Sequence, residues 1–416
     1  MQSFMEKEDI AEDINGEKAY QVIPFTWPKG YKSDGVHAGL RKNPDKKDMG
    51  WLYSEVPAQA AGTYTTNQFQ AAPTKLTKQT INLKHELQAV VMNTANANSV
   101  TGQQGMLDAM KMQGLTAEKL NLAANLVGVA STGIIGEPLP MDVIAKGIGQ
   151  LQLLDNTYVT EAVLTTDKHT KTISTQVSIG GQTVTISGFC KGSGMIHPKM
   201  ATMLGFVVTD AKIADGELQE MLSQEVDATF NQITVDGDTS TNDMVVTMAN
   251  GLADNTPIAN DGGVDYQNFI SAYNAVLSEL AQDIAADGEG STKLVEVNVE
   301  NAADHNDAQK VAKAIVGSNL VKSAIFGEDA NWGRIIAAIG QTNAQVDIDH
   351  TSVWLNELPL VDDSHSADFD EAEMKQALKN NKITILVDLN SGNAQGQAWG
   401  CDLTYNYVRI NATYRS

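Results

Sequence analysis

Thr202 stands in the run Lys191-Gly-Ser-Gly-Met-Ile-His-Pro-Lys-Met-Ala-Thr-Met-Leu204, where a Gly-broken, Pro-containing loop meets a small residue, a hydroxyl residue and an apolar stretch. That layout suits a chain that cuts itself between Ala201 and Thr202. A Thr hydroxyl attacks the carbonyl just before it, passes through an ester and frees a new N-terminus. The freed amine then lies beside its own hydroxyl and serves as its general base. In mid-chain, the same Thr is an ordinary strand residue after a loop.

Acyl transfer through such an ester also needs oxyanion donors and groups that hold the two substrates. Thr132 and Gly133 lie in Ser131-Thr-Gly-Ile-Ile-Gly136, a Gly-punctuated loop expected to follow a helix. There a hydroxyl and a backbone N–H can point at one oxygen, although Ser-Thr-Gly is also a common plain turn. Lys191 can meet a carboxylate and Glu289, in Asp287-Gly-Glu-Gly290, can meet an amine; out of context both would read as solvated charges.

Further motifs follow in order along nearly the whole chain. They are Asn93-Thr-Ala-Asn-Ala-Asn98 with Thr101-Gly102, Thr165-Thr-Asp167, Ile233-Thr-Val-Asp-Gly-Asp-Thr-Ser-Thr-Asn-Asp243, Phe326-Gly-Glu-Asp-Ala-Asn-Trp-Gly-Arg-Ile335, Ala398-Trp-Gly-Cys-Asp-Leu-Thr404 and Tyr407-Val-Arg-Ile-Asn411. Together with the Thr202 run, this series resembles the ornithine acetyltransferase family, the glutamate N-acetyltransferases of arginine biosynthesis. The resemblance implies that Thr202 is the nucleophile, that Ala201–Thr202 is the self-cleavage site and that Thr132 and Gly133 form the oxyanion site. It implies substrate contacts at Thr165, Lys191, Thr202, Glu289, Asn411 and the terminal residue Ser416, so the C-terminus is expected in the cleft. The implied reaction is ping-pong transfer of acetyl from N-acetylornithine to glutamate. Acetyl-CoA as a further donor is left open, since the chain shows no CoA signature. Neither cofactor nor metal is implied. The two self-made chains are expected to stay together, as a heterotetramer or a tetramer of heterodimers.

Two rivals remain on the sequence. An autoprocessed amidohydrolase or aminopeptidase of the same maturation would pass the acyl group to water, and a binding protein of the same fold would never be cut. The Asp236–Asp243 segment has carboxylates at calcium-like spacing but lacks the loop glycine and terminal Glu of a calcium loop. H-E-x-x-H, G-x-S-x-G and P-loop patterns are missing. His197 reads as an exposed loop residue, and Cys190 as a small apolar residue ending a strand.

The net charge of −22 argues against nucleic-acid and anionic-membrane partners, and it requires a local cation to hold an anionic substrate. Two cysteines are too few for a disulfide scaffold. There is no apolar run of roughly 18 residues, and the acidic N-terminus carries no secretory signal, so a cytoplasmic protein is expected.

With 416 residues the chain exceeds one ordinary core. Strands are predicted at Leu87–Met92, Ala162–Thr166, Thr172–Ile179, Gln182–Phe189 (with a Gly180-Gly181 turn), Thr202–Thr209, Lys293–Val299, Ala344–Ile348, Val353–Leu355 and Ile383–Leu389. Helices are predicted at Leu115–Val129, Asp307–Val316 and Glu371–Leu378. Two more follow from the apolar faces Leu218/Met221/Leu222/Val226 and Phe269/Tyr273/Val276/Leu277/Leu280/Ile284. This mixture predicts a layered α/β fold with sheets flanked by helices. The resemblance refines it to an N-terminal-nucleophile-like architecture with chains 1–201 and 202–416 and a smaller C-terminal α/β unit at roughly 290–390.

Overall fold

The computed structural model describes residues 19–197 and 203–413. Ala201, Thr202 and Ser416 lie outside them. The described residues form a mixed α/β structure built on two sheets.

The larger sheet has nine strands. Its order is Tyr20–Ile23, Lys171–Ile179, Gln182–Lys191, Leu204–Thr209, Met244–Ala249, Met49–Tyr64, Glu86–Asn93 and Val127–Ser131, with Tyr31–Val36 paired to Met49–Tyr64. The two strands that follow residue 202 lie side by side between strands that precede it. Gln182–Lys191 pairs antiparallel with Leu204–Thr209, which pairs parallel with Met244–Ala249, which in turn pairs antiparallel with Met49–Tyr64. A cut before Thr202 therefore leaves the two pieces joined by continuous hydrogen-bonded ladders.

Strand Leu204–Thr209 is buried at every position, as its unbroken apolar run requires. Val207 packs in one cluster with Leu222, Val226, Phe269 and Tyr273 of helices Glu217–Ala228 and Val264–Ala286. Leu204, Phe206 and Val208 pack in another with Phe189, Met244 and Val246. Helices Ala72–Lys84 and Gly102–Leu120 contribute Leu76, Ala109 and Met112 to a cluster with Ala89, Val91, Val127 and Val129 at the far end of the sheet.

The smaller sheet orders His365–Ser366, Leu358–Asp362, Ser352–Leu355, Lys382–Asp388, Leu294–Ala302 and Ala394–Cys401. Its last strand lies beyond residue 390. Helices His305–Gly317 and Trp332–Gly340 place Val311, Ile315, Ile335 and Ile339 in its core. Trp399 and Cys401 of its last strand belong to the core cluster of the larger sheet.

Three sequence expectations are corrected. Leu115–Val129 is not one helix: Gly102–Leu120 is helical, Asn121 ends it at φ 55°, and Val127–Ser131 is a strand parallel to Glu86–Asn93. Ala162–Thr166 is no strand, since helix Tyr158–Ala162 takes up its start. Ala344–Ile348 is irregular, with the Gln345 N–H bonded to the Asp307 carboxylate at 2.9 Å.

Helix Val264–Ala286 carries Glu279 and Asp283 one turn apart, a like-charge pair. Burial, with Asp283 adding to it, pushes Glu279 up to about 7. A raised carboxyl contributes stability that is present below its unfolded value of about 4.3 and lost as pH rises through its folded value. Glu279→Gln is thus expected to stabilise the protein by about 1–2 kcal/mol at pH ~8 and not at pH ~4. Thermal melts at both pH values check it, and an equal effect at both would refute it.

Candidate active site

The site lies where several loops meet beside the end of strand Gln182–Lys191. Thr132 and Gly133 follow strand Val127–Ser131, not a helix, so their loop is placed by parallel pairing to Glu86–Asn93. The Asn-rich run after that partner strand braces it. Asn93 accepts from Ser131 Oγ at 2.6 Å, and its carbonyl accepts from Thr132 N at 3.0 Å. Asn96 Nδ2 donates to the carbonyls of Glu137 and Pro138 at 3.1 and 2.9 Å. Asn242 Nδ2 spans the carbonyls of Ala97 and Ser131 at 2.6 and 2.8 Å. Gly133 has φ +131°, and a Cβ there would come within 2.2 Å of the Ala95 carbonyl carbon, so no other residue fits. The Thr132 hydroxyl and the Gly133 N–H hold no hydrogen bond among the described residues.

Lys191 ends its strand and is only 8% exposed, yet its ammonium has no ion pair within bonding distance among the described residues. Glu289 follows helix Val264–Ala286, with its N–H bonded to the Ser193 carbonyl at 2.7 Å and Oε2 accepting from Asn411 Nδ2 at 2.8 Å. Gly194 leaves room for this carboxyl, since a Cβ would lie 2.4 Å from Glu289 Cδ. Asn411 comes from helix Tyr405–Ala412. Thr132, Gly133, Thr165, Lys191, Glu289 and Asn411 all line one cavity of about 530 Å³, with Thr166, Ser240 and Asn242 among its other walls. This volume suits a small-molecule substrate.

The chain on both sides of residues 198–202 is fastened. Asp236 accepts from Met195 N at 2.7 Å and Ile196 N at 2.9 Å, and burial raises its carboxyl pKa. The Ile196 carbonyl accepts from Val235 N at 2.8 Å and Thr234 Oγ1 at 3.0 Å. The Met203 carbonyl accepts from Met244 N at 2.9 Å. Asp236 thus holds a loop, a role its calcium-like spacing did not suggest. His197 is half-buried rather than exposed, with Nδ1 3.0 Å from Thr234 Oγ1 and its carbonyl accepting from Thr239 Oγ1 at 2.8 Å. Cys190 is buried in the core, and burial pushes its thiol well up. Among the described residues no group of three or more His, Cys, Asp and Glu side chains could hold a metal ion, and no helix is long and apolar enough to cross a membrane.

Among the described residues, an unbonded hydroxyl and N–H, an ammonium without an ion pair and a carboxylate line one small cavity on a helix-flanked sheet, an arrangement suited to acyl transfer. Residues 32–416 match the ArgJ family. The arginine biosynthesis bifunctional protein ArgJ of Lactiplantibacillus plantarum is 61% identical over 397 residues, covering 95% of this chain and 98% of that protein. The protein of the same name from Oceanobacillus iheyensis is 51% identical over 393 residues, covering 94% and 96%. A crystal structure of the ArgJ protein from Bacillus halodurans is 51% identical with a TM-score of 0.50, all of that chain matching 51% of this one. The chain belongs to the ArgJ family and is an acyltransferase of arginine biosynthesis.

Proposed function

We propose that the chain cleaves itself before Thr202 and then moves acetyl from N-acetylornithine to glutamate through an ester on Thr202. The observation that carries this reading is the convergence of Thr132, Gly133, Lys191 and Glu289 on one cavity, at the end of a strand whose neighbour begins at Leu204.

Each step has a group to perform it. The Thr202 amine takes the proton of its own hydroxyl, and Oγ attacks the acetyl carbonyl. The Thr132 hydroxyl and Gly133 N–H donate to the oxygen that becomes negative. The carbon–nitrogen bond breaks, ornithine leaves with the proton held by the amine, and the acetyl stays as an ester. The glutamate amine then attacks that ester, N-acetylglutamate leaves, and the Thr202 oxygen regains a proton. Lys191 holds the carboxylate shared by both amino acids, which a protein of charge −22 would otherwise repel. Glu289 and Asn411 hold the cationic end of ornithine, and Thr165 and Ser416 complete the substrate contacts.

Lys191→Met is expected to weaken acetylornithine and glutamate alike by about 10-fold, corresponding to roughly 1.5 kcal/mol of a charge-assisted hydrogen bond. Glu289→Gln should impair the ornithine half-reaction more than the glutamate half-reaction. Kinetics of the two half-reactions decide; small, equal effects of both changes on both substrates would remove these residues from the ligand.

The relative sizes of the matched chains support self-cleavage, because a whole solved ArgJ chain matches 51% of this one and residues 202–416 are about half of it. The relatives' bifunctional names extend the reading to acetyl-CoA as a second donor. Incubation with acetyl-CoA and glutamate alone tests that. The two pieces are proposed to remain associated, assemble into a tetramer of heterodimers and work in the cytoplasm without a cofactor; light scattering of the purified enzyme reads the assembly. If water rather than glutamate took the acetyl with glutamate in excess, the amidohydrolase reading would replace this one.

A further inference from the structure

Behind the cavity lies an ion cluster that no step above uses. Lys171 Nζ is 2.8 Å from Asp167 Oδ1 and 2.6 Å from Asp287 Oδ2, and all three side chains are 0% exposed. Taking three charges out of water is costly, and an apolar trio of equal volume stabilises a core at least as well. The remaining hydrogen bonds of the cluster show what the ions hold instead.

Asp167 accepts from Gly192 N at 2.7 Å through Oδ1 and from Thr165 N at 2.9 Å through Oδ2. Asp287 Oδ2 accepts from Lys168 N at 3.0 Å. Thr165 stands two residues before one carboxylate and Glu289 two after the other, while Lys191 is bonded to Gly192. The three segments that carry these cavity-lining residues therefore meet on one ammonium. Lys171 is itself fixed in the sheet, where it pairs with Cys190 beside Lys191. Its side chain does not line the cavity. The neighbouring Lys171 and Lys191 charges hold the Asp167 carboxyl well below the usual range against its burial, so it stays ionised for these bonds at neutral pH.

We propose that Lys171 is a positioning residue of the acetyl-transfer site, setting the mutual spacing of Thr165, Lys191 and Glu289 through Asp167 and Asp287. The inference rests on the assignment of those three residues to substrate binding.

Lys171→Met and the milder Asp287→Asn test it, the second serving if the first does not fold. The control is a core variant of the smaller sheet, Ile335→Val, compared at temperatures equally far below each melting point. The expected result has two parts. Hydrogen exchange should quicken together in residues 165–168, 191–193 and 287–289, while strand 172–179 keeps its protection. The KM values for acetylornithine and glutamate should both rise on the order of 10-fold or more, with kcat changed far less. Faster exchange confined to the segment carrying the mutation, or unchanged KM values in a folded variant, would overturn the proposal. The exchange readout needs no substrate. A wild-type enzyme without acetyl transfer would therefore sink the functional reading separately, leaving the exchange pattern to decide whether Lys171 ties the three segments.

Discussion

Thr202→Ala is expected to remain a single chain of 44.6 kDa and to lose acetyl transfer by about four orders of magnitude or more. In the proposed reading one change removes two functions, because the same hydroxyl would attack the Ala201 carbonyl during maturation and the acetyl carbonyl during turnover. The loss should not come from unfolding. The ladder between Gln182–Lys191 and Leu204–Thr209 starts at Leu204, and the flanks of the loop are held by Asp236 on one side and Met244 on the other. None of these bonds involves the Thr202 side chain. Thr202→Ser keeps the hydroxyl and should still cleave. A denaturing gel and a coupled assay read both variants, and a Thr202→Ala protein that transfers acetyl normally would refute the nucleophile.

Thr132→Ala is expected to lower kcat by about 10²–10³-fold with little change in KM, the range for removing one oxyanion donor. Thr132 lines the cavity and its hydroxyl has no partner among the described residues, so deleting it breaks no bond described there. The adjacent Gly133 N–H, the second proposed donor, would remain and limit the loss. Steady-state kinetics separate the possibilities: normal kcat with raised KM would make Thr132 a substrate contact.

Most of the fold could be read where local pattern and burial agree. Strand Glu86–Asn93 is a short, mostly apolar run buried on both faces, and the helix carrying Phe269 to Ile284 is apolar at the helical period. The region from Gly102 to Ser131 misled because Leu115, Leu122, Leu126 and Val129 recur at helical intervals, while Gly105 and Gly114 dilute the real helix. Asn121 in the left-handed region and the pairing of Val127–Ser131 to a strand some forty residues earlier decide the matter, and the second is a tertiary fact.

The cavity-lining residues were legible as an ordered series of motifs. Their supports were not. Asn93 and Asn96 look like loop residues until their side chains are seen bridging to residues 131–138. Asp236 looks like part of a metal loop until Met195 and Ile196 are found on it. Lys171 and Asp287 are 116 positions apart, and nothing local pairs a lysine at the head of one strand with an acid capping a distant helix.

The central claim is that cleavage makes Thr202 an N-terminus that then carries the acetyl group. Intact mass spectrometry of the wild-type protein, incubated with N-acetylornithine without glutamate and quenched in acid, tests it most directly. The account predicts two chains, 1–201 and 202–416, with a single acetyl on the second, placed on Thr202 by fragmentation and discharged when glutamate is added. An uncut chain that transfers acetyl at full rate, or a cut one that does so without ever carrying it, would contradict the account.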